Sequence, residues 1–348
     1  MSDSNPLRRQ FASDNCAGIC PEAWDAMREA NQGYEASYGD DAWTAKAASL
    51  IRDVFETPCE VFFVFNGTSA NSMALAAICQ PYHAILCHER AHEVIDECGA
   101  PEFFAHGAKV IPLSGLQGKV APAAVEQAAT RRSDLHYSKV RALSLTQCTE
   151  VGTVYSVDEV KALASTAHRF GLKVHMDGAR FANAAAALGA VPQEITWRSG
   201  VDVLSFGATK NGIAVGEAVV FFDRDLARDF EYRCKQGGQL ASKMRFLTAP
   251  WVGILKNGAW LRHARHANAM AAQLAQALQN VSAGCIAFPC QSNSVFLHLP
   301  PAVVQGLHER GWRFHQMHGA EEYRLMCSWD TTPEDVDAFA KDLKQLLA

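Results

Sequence analysis

No CxxC pair occurs anywhere in these 348 residues, although the chain holds eleven cysteines. The closest are Cys16/Cys20 and Cys285/Cys290, and an odd count without an export leader points to free thiols in a reducing cytoplasm. The thirteen histidines complete no clustered ligand set along the sequence, so no metal is expected and the cysteines read as small core residues. The opening stretch 1–15 is polar and lacks the apolar centre of a signal peptide. Apolar runs long enough to span a bilayer are missing, which argues against a membrane-spanning helix. Long basic runs are missing too and the net charge is −5, so nucleic acid is not an expected partner. Arg262, His263, Arg265 and His266 do cluster, inside a helical pattern, and read as a solvated or subunit-facing surface. Neither GxGxxG nor GK[ST] is present, which removes the dinucleotide fingerprint and the Walker loop.

What the chain has instead is alternation. From residue 60 onward, short apolar runs such as Glu60–Phe65, Ala84–Cys87, Lys109–Leu113, Arg141–Thr146 and Leu172–Asp177 alternate with helical patterns. That spacing predicts an α/β fold, a mostly parallel sheet flanked by helices on both faces. After residue 223 the texture changes to helices at Arg224–Gln236, Gln239–Asn257 and Ala259–Val281. Short strands follow near Cys285–Phe288, Ser294–His298, Arg313–His315 and Arg324–Ser328. The expected organisation is an N-terminal arm (1–20), a large domain (21–254) and a smaller C-terminal α+β domain (255–348).

Three stretches carry chemistry. In Val201–Gly216 (VDVLSFGATKNGIAVG) a buried strand breaks at Gly207 into small residues around a single lysine, Lys210. An amine there can be desolvated, its pKa lowered, and it can form an imine with a carbonyl compound. Alone, Lys210 is also compatible with a solvated loop lysine. Asn66-Gly67-Thr68-Ser69-Ala70-Asn71 joins a buried strand to a helix, and small residues at a helix N-terminus suit a phosphate, though Thr68 or Ser69 can equally be a cap. Asp177 ends a buried strand facing the crevice where open α/β sheets bind ligands. Its carboxylate needs a cation, which a protonated pyridine nitrogen or Arg180 can supply. His88 and His92 follow another strand and can stack on a planar ring or shuttle protons, or simply lie at the surface; His175 reads as packing. Anion site, aspartate and lysine, in that order, match the needs of pyridoxal 5′-phosphate.

With Ser13-Asp14-Asn15, Tyr38-Gly39-Asp40-Asp41, Ala91-His92, Asp177-Gly178-Ala179-Arg180, Thr209-Lys210, Lys235-Gln236-Gly237-Gly238 and Tyr323-Arg324-Leu325, the chain resembles the low-specificity threonine aldolases. These belong to the aspartate-aminotransferase-like pyridoxal-phosphate enzymes, and the resemblance covers almost the whole chain. It implies that Lys210 forms the imine with the cofactor, that Asp177 pairs with the pyridine nitrogen, and that His92 stacks on the ring and takes part in proton transfer. Gly67, Thr68 and Ser69 would bind the phosphate, with Thr209 and Arg180 also at the cofactor. Arg180, Arg324, Ser13 and Tyr38 would meet the substrate, the arginines and Ser13 at its carboxylate. Lys235 and Lys243 would reach a neighbouring subunit's phosphate in a cytoplasmic homotetramer with shared sites.

The implied reaction is cleavage of L-threonine, L-allo-threonine and related L-3-hydroxy amino acids to glycine and an aldehyde. One departure stands out. Many relatives carry a histidine just after the strand Arg141–Thr146, whereas this chain reads Gln147-Cys148-Thr149-Glu150. The base for the β-hydroxyl proton is therefore open between His92, a water held by Thr149 or Glu150, and another group.

Overall fold

The computed structural model describes residues 10–282, 284–317, 319 and 321–347, so residues 1–9 of the expected arm lie outside the described residues. Seven strands form one sheet: β1 (Glu60–Val64), β2 (His83–His88), β3 (Lys109–Leu113), β4 (Lys139–Thr146), β5 (Lys173–Gly178), β6 (Val203–Phe206) and β7 (Glu217–Phe221). Their order is β1-β7-β6-β5-β4-β2-β3. Only β7 runs against its neighbours, β1 and β6. The remaining pairs are parallel, as the near-continuous apolar runs predict for a sheet covered on both faces.

Parallel strands share one C-terminal edge, and the segments that carry chemistry leave from it. Asn66 follows β1, His92 follows β2, Cys148 follows β4, Asp177 lies in the last turn of β5, and Lys210 follows β6. Because β7 is antiparallel, its first residue, Glu217, starts at that same edge. An aromatic knot locks one face: Phe206 packs edge-on against Phe181, Phe55, Trp251 and Trp260 at centroid distances of 5.0–5.7 Å. Fixing β6 in this way fixes the turn that follows it.

A second sheet, β8 (Ser294–His298), β9 (His315–Gln316) and β10 (Glu322–Met326), is antiparallel with β10 in the middle. The helix Ala259–Val281 serves both cores: Trp260 and Ala264 pack in the first, Leu274 and Leu278 in the second. The arm is drawn into this second core. Phe11 stacks on Trp312 at 5.6 Å and meets Phe339 edge-on, while its backbone bonds Arg313 and Met326.

Several expected elements are shorter than the pattern suggested. The helix Arg224–Gln236 breaks at Asp229, whose φ of 61° is incompatible with a continuing helix, leaving Phe230–Gln236. Gln239–Asn257 is helical only over Arg245–Lys256, and near Cys285–Phe288 a single bridge, Ile286 to Leu297, replaces the expected strand. Most cysteines are buried as expected, but Cys16 and Cys98 are exposed. His263 and His266 are likewise not simply solvated: the first meets Glu22 and the second the Thr331 carbonyl.

Candidate active site

The turn that carries Lys210 is held from below. Glu217, buried at the start of β7, accepts from the Ala208 amide at 2.6 Å and the Thr209 amide at 3.4 Å. Gly207 is required for contact: a Cβ there would lie 2.4 Å from the Ala179 carbonyl oxygen, so the β5 and β6 turns touch backbone to backbone. Lys210 itself is half-buried and makes no hydrogen bond or ion pair with any described residue. Its ammonium is available.

Asp177 is 3% exposed. Its Oδ1 accepts from the Ala179 amide at 2.9 Å and its Oδ2 from Asn71 Nδ2 at 3.0 Å. It forms no ion pair among the described residues. The structural pair with Arg180 that the sequence allowed does not exist. Arg180 instead grips Asp14 of the arm with Nε at 2.7 Å and Nη2 at 3.0 Å, and Asn293 Nδ2 donates to the same carboxylate at 3.0 Å. Burial would raise the Asp14 pKa, but the Arg180 guanidinium wins and holds it below the usual carboxylate range. Two of the three nitrogens of Arg180 are thus committed to the fold, which limits its expected part in holding substrate.

Arg324, on β10, is different. Among the described residues its buried Nε has no hydrogen-bond partner, and Nη2 reaches the Ala12 carbonyl at 3.4 Å. Burial, and the neighbouring Arg180 charge, depress its pKa. A desolvated guanidinium without a carboxylate is costly and is retained where an anionic ligand completes it. Ser13 uses its hydroxyl locally, accepting from the Asn15 amide at 3.1 Å and reaching Asp14 at 3.4 Å.

Behind the crevice lies a buried acid network that sequence reasoning missed. Asn71 Nδ2 also donates to Glu97 Oε1 at 2.9 Å, and His92 Nδ1 donates to the same oxygen at 2.7 Å. Burial alone would lower the His92 pKa; the bond to Glu97, with Asp177 and Glu150 nearby, raises it to about 9. Glu93 is pushed up to about 8 by burial and by the charges of Asp177 and Glu97. It accepts a short hydrogen bond from Ser144, whose hydroxyl also meets His175 Nδ1 at 2.8 Å; His175 Nε2 meets Ser205 at 3.0 Å. Packing is therefore only part of the role of His175. Glu93 and Glu97 lie four residues apart beyond His92, and in sequence that spacing looks like a solvated helix face.

The network sets a pH dependence. Glu93 keeps a proton in the folded protein up to about 8 that the unfolded chain releases near 4.5, so stability falls as pH rises through that interval. His92 adds a loss of the same sign between 6.5 and about 9, and buried His175, lowered to about 4, acts oppositely on the acid side, between about 4 and 6.5. Glu93→Gln is expected to match the parent at pH 5 and to melt above it at pH 9. Equal melting temperatures across the range would refute the protonated Glu93.

At the phosphate candidate, Asn66 Oδ1 caps the helix Gly67–Ile78 by accepting from the Ser69 amide at 2.8 Å. The cap is thus Asn66, which leaves Thr68 and Ser69 free of that duty, and no atom lies within 4 Å of a Cβ built on Gly67. His88 is structural: it meets the Gly115 carbonyl at 3.1 Å and accepts from the Arg90 amide at 3.0 Å. Tyr38, in an exposed turn, and exposed Lys235, in the last turn of the helix Phe230–Gln236, come together with the ammonium 4.8 Å from the ring centroid. Among the described residues, neither they nor Lys243 form a hydrogen bond to the crevice residues.

Pyridoxal 5′-phosphate can be tested against this residue set. Buried Asn71 Oδ1 and Arg324 Nε have no hydrogen-bond partner among the described residues. The same sheet edge carries the Lys210 amine, the buried Asp177 carboxylate, which forms no ion pair among the described residues, and the helix N-terminus at Gly67. The set fits a planar cationic ring bearing an aldehyde and a phosphate, next to an anionic substrate.

Fold and site together define an α/β enzyme whose crevice opposes a lone lysine to a buried aspartate. The chain belongs to the beta-eliminating lyase family, whose model matches residues 10–300. It is 57% identical over 339 residues to a low specificity L-threonine aldolase of Pseudomonas aeruginosa, covering 97% of this chain and 98% of that one. A second relative of that name, from a Pseudomonas species, is 54% identical over 340 residues, 98% of each chain. Among solved structures, a threonine aldolase of Leishmania major superposes with a TM-score of 0.92 at 28% identity, covering 97% of this chain and 99% of that one.

Proposed function

We propose that this protein is an aldehyde-lyase that cleaves the Cα–Cβ bond of L-threonine and related L-3-hydroxy amino acids, giving glycine and an aldehyde, with pyridoxal 5′-phosphate as cofactor. The observation that carries the reading is the pair Lys210 and Arg324, neither bound to a carboxylate among the described residues, set at the same crevice as Asp177, which forms no ion pair among those residues. Lys210 would hold the cofactor's aldehyde carbon, Asp177 its ring nitrogen, His92 its ring face, and Gly67, Thr68, Ser69 and Thr209 its phosphate side. Bound there, the cofactor supplies an electron sink for the carbanion left at Cα.

The remaining work falls to the chain. Arg324 binds the substrate carboxylate, with the third nitrogen of Arg180 and Ser13 beside it, and so orients the bond to be broken. The hydroxyl proton needs an acceptor. The Thr149 hydroxyl is taken by Thr153 at 2.7 Å, and His92 with its pKa near 9 is already protonated at neutral pH. Glu150 is half-buried, has no hydrogen-bond partner among the described residues, and its charge acts on His92, Arg180 and Arg324. Glu150 is the acceptor this geometry favours, directly or through a water, with His92 as the proton donor facing it.

The experiment is product analysis. With added cofactor, L-threonine is expected to yield glycine and acetaldehyde in equal amounts; 2-oxobutyrate without glycine would overturn the reading. Glu150→Gln is expected to lower kcat by about 10²-fold or more, and an unchanged kcat returns the role to His92. Comparing L-threonine, L-allo-threonine and phenylserine on both proteins reads out side-chain preference. Exposed Lys235 and Lys243 would reach the phosphate of a second copy's site in a cytoplasmic homotetramer, and Tyr38, beside Lys235, would meet the substrate.

A further inference from the structure

Sequence spacing hides one ligand cluster. Among the described residues, Cys20, Glu22 and His263 bring a thiol sulfur, a carboxylate oxygen and a ring nitrogen within 4.8 Å of one another. Cys20 caps the helix Pro21–Ala30 and Glu22 sits in its first turn, so one short stretch supplies two of the groups. His263 comes from the first turns of Ala259–Val281, more than 240 positions along, and its Nε2 lies 3.0 Å from Glu22 Oε2. We propose that these three side chains form a site for a single borderline-soft divalent cation of the zinc type, separate from the Lys210 crevice chemistry.

The donor set is what such an ion selects. Thiolate, imidazole and carboxylate bind zinc at roughly 2.3, 2.0 and 2.1 Å, so tetrahedral ligand atoms stand roughly 3.3–3.7 Å apart. The three ligand atoms already lie within 4.8 Å of one another, so small rotations at side-chain ends close the gap. The other carboxylate oxygen, Glu22 Oε1, is already fixed by Arg262 at 3.1 Å, which orients the carboxylate and leaves Oε2 free to coordinate. Trp329 closes one side: its ring meets His263 edge-on at 5.5 Å and its Nε1 donates to the Gly18 carbonyl at 2.9 Å. Glu22 and His263 are only partly buried, so an ion can enter from solvent.

Binding is an exchange of protons for metal. The Cys20 thiol releases its proton to water on coordination, and any proton shared by His263 and Glu22 leaves with it. The site also touches the catalytic turn. The Cys20 amide donates to the Gly212 carbonyl at 2.8 Å, and Cys20 Sγ lies 3.2 Å from where a Gly212 Cβ would stand. Gly212, with φ of 100°, ends the turn that presents Lys210.

The test is a cobalt titration of the purified, chelator-treated protein. One equivalent of Co²⁺ is expected to give the intense visible ligand-field bands of a tetrahedral thiolate site, displaced by Zn²⁺. His263→Asn is expected to weaken uptake at least tenfold while leaving turnover of the metal-free protein intact. Cys20→Ser should abolish the sulfur-to-cobalt charge transfer, with Glu22→Gln as a second variant should the buried Cys20 change disturb folding. Octahedral, weakly coloured binding, or the same spectrum in the parent and in His263→Asn, would overturn the site. The readout does not depend on which reaction the crevice catalyses.

Discussion

Lys210→Ala is expected to reduce threonine cleavage by at least about 10³-fold and to remove the visible absorbance of the cofactor–lysine linkage. The size follows from what Lys210 does not do. It carries no hydrogen bond or ion pair among the described residues, and the turn's shape is held by Glu217, by Gly207 against Ala179, and by the aromatic knot around Phe206. Losing the side chain therefore leaves the fold nearly untouched, with a stability change on the order of 0.5 kcal/mol. A large loss of activity with an unmoved melting temperature is the signature. Lys210→Arg separates charge from nucleophile, because a guanidinium keeps the cation but is not deprotonated at working pH. Recovered absorbance or turnover in either variant would remove Lys210 from the role.

Arg324→Ala is expected to raise KM by about 10²-fold, the loss of a charged contact worth roughly 3 kcal/mol, with a smaller effect on kcat. Its effect on stability should be neutral or favourable, since the variant removes a buried guanidinium whose Nε has no hydrogen-bond partner among the described residues and whose charge opposes Arg180. Arg180→Ala provides the contrast. It leaves Asp14 buried and unpaired, which costs about 3–5 kcal/mol, so its kinetic defect is expected to come with a fall in melting temperature. If both variants lost stability and kept KM, Arg324 would not be the carboxylate site.

The parallel sheet was readable because strands such as Val203–Phe206 are apolar throughout, and polar residues just beyond them stand out. Asp177 and Lys210 are conspicuous for that reason. Glu93, Glu97 and Glu217 were not, since a carboxylate on a helix or beside a strand looks like a solvated charge until its burial is known. The partner of Arg180 was equally hidden, because Asp14 lies 166 positions away. Thr149 and Glu150 look equivalent in sequence, because the contact that occupies the Thr149 hydroxyl, with Thr153, has no local signal. Local propensity did worst where single residues override it, as at Asp229.

Asp14 is fastened by Arg180 and by Asn293, 166 and 279 positions further along, while Arg324 touches the Ala12 carbonyl across 312. This has a consequence for synthesis, which proceeds from the N-terminus. Every element from Asn66 to Lys210 has left the ribosome before β8 and β10 exist. A nascent chain thus holds the Lys210 side of the crevice early and must wait for its last strands to clamp the arm and bring Arg324 to the other side.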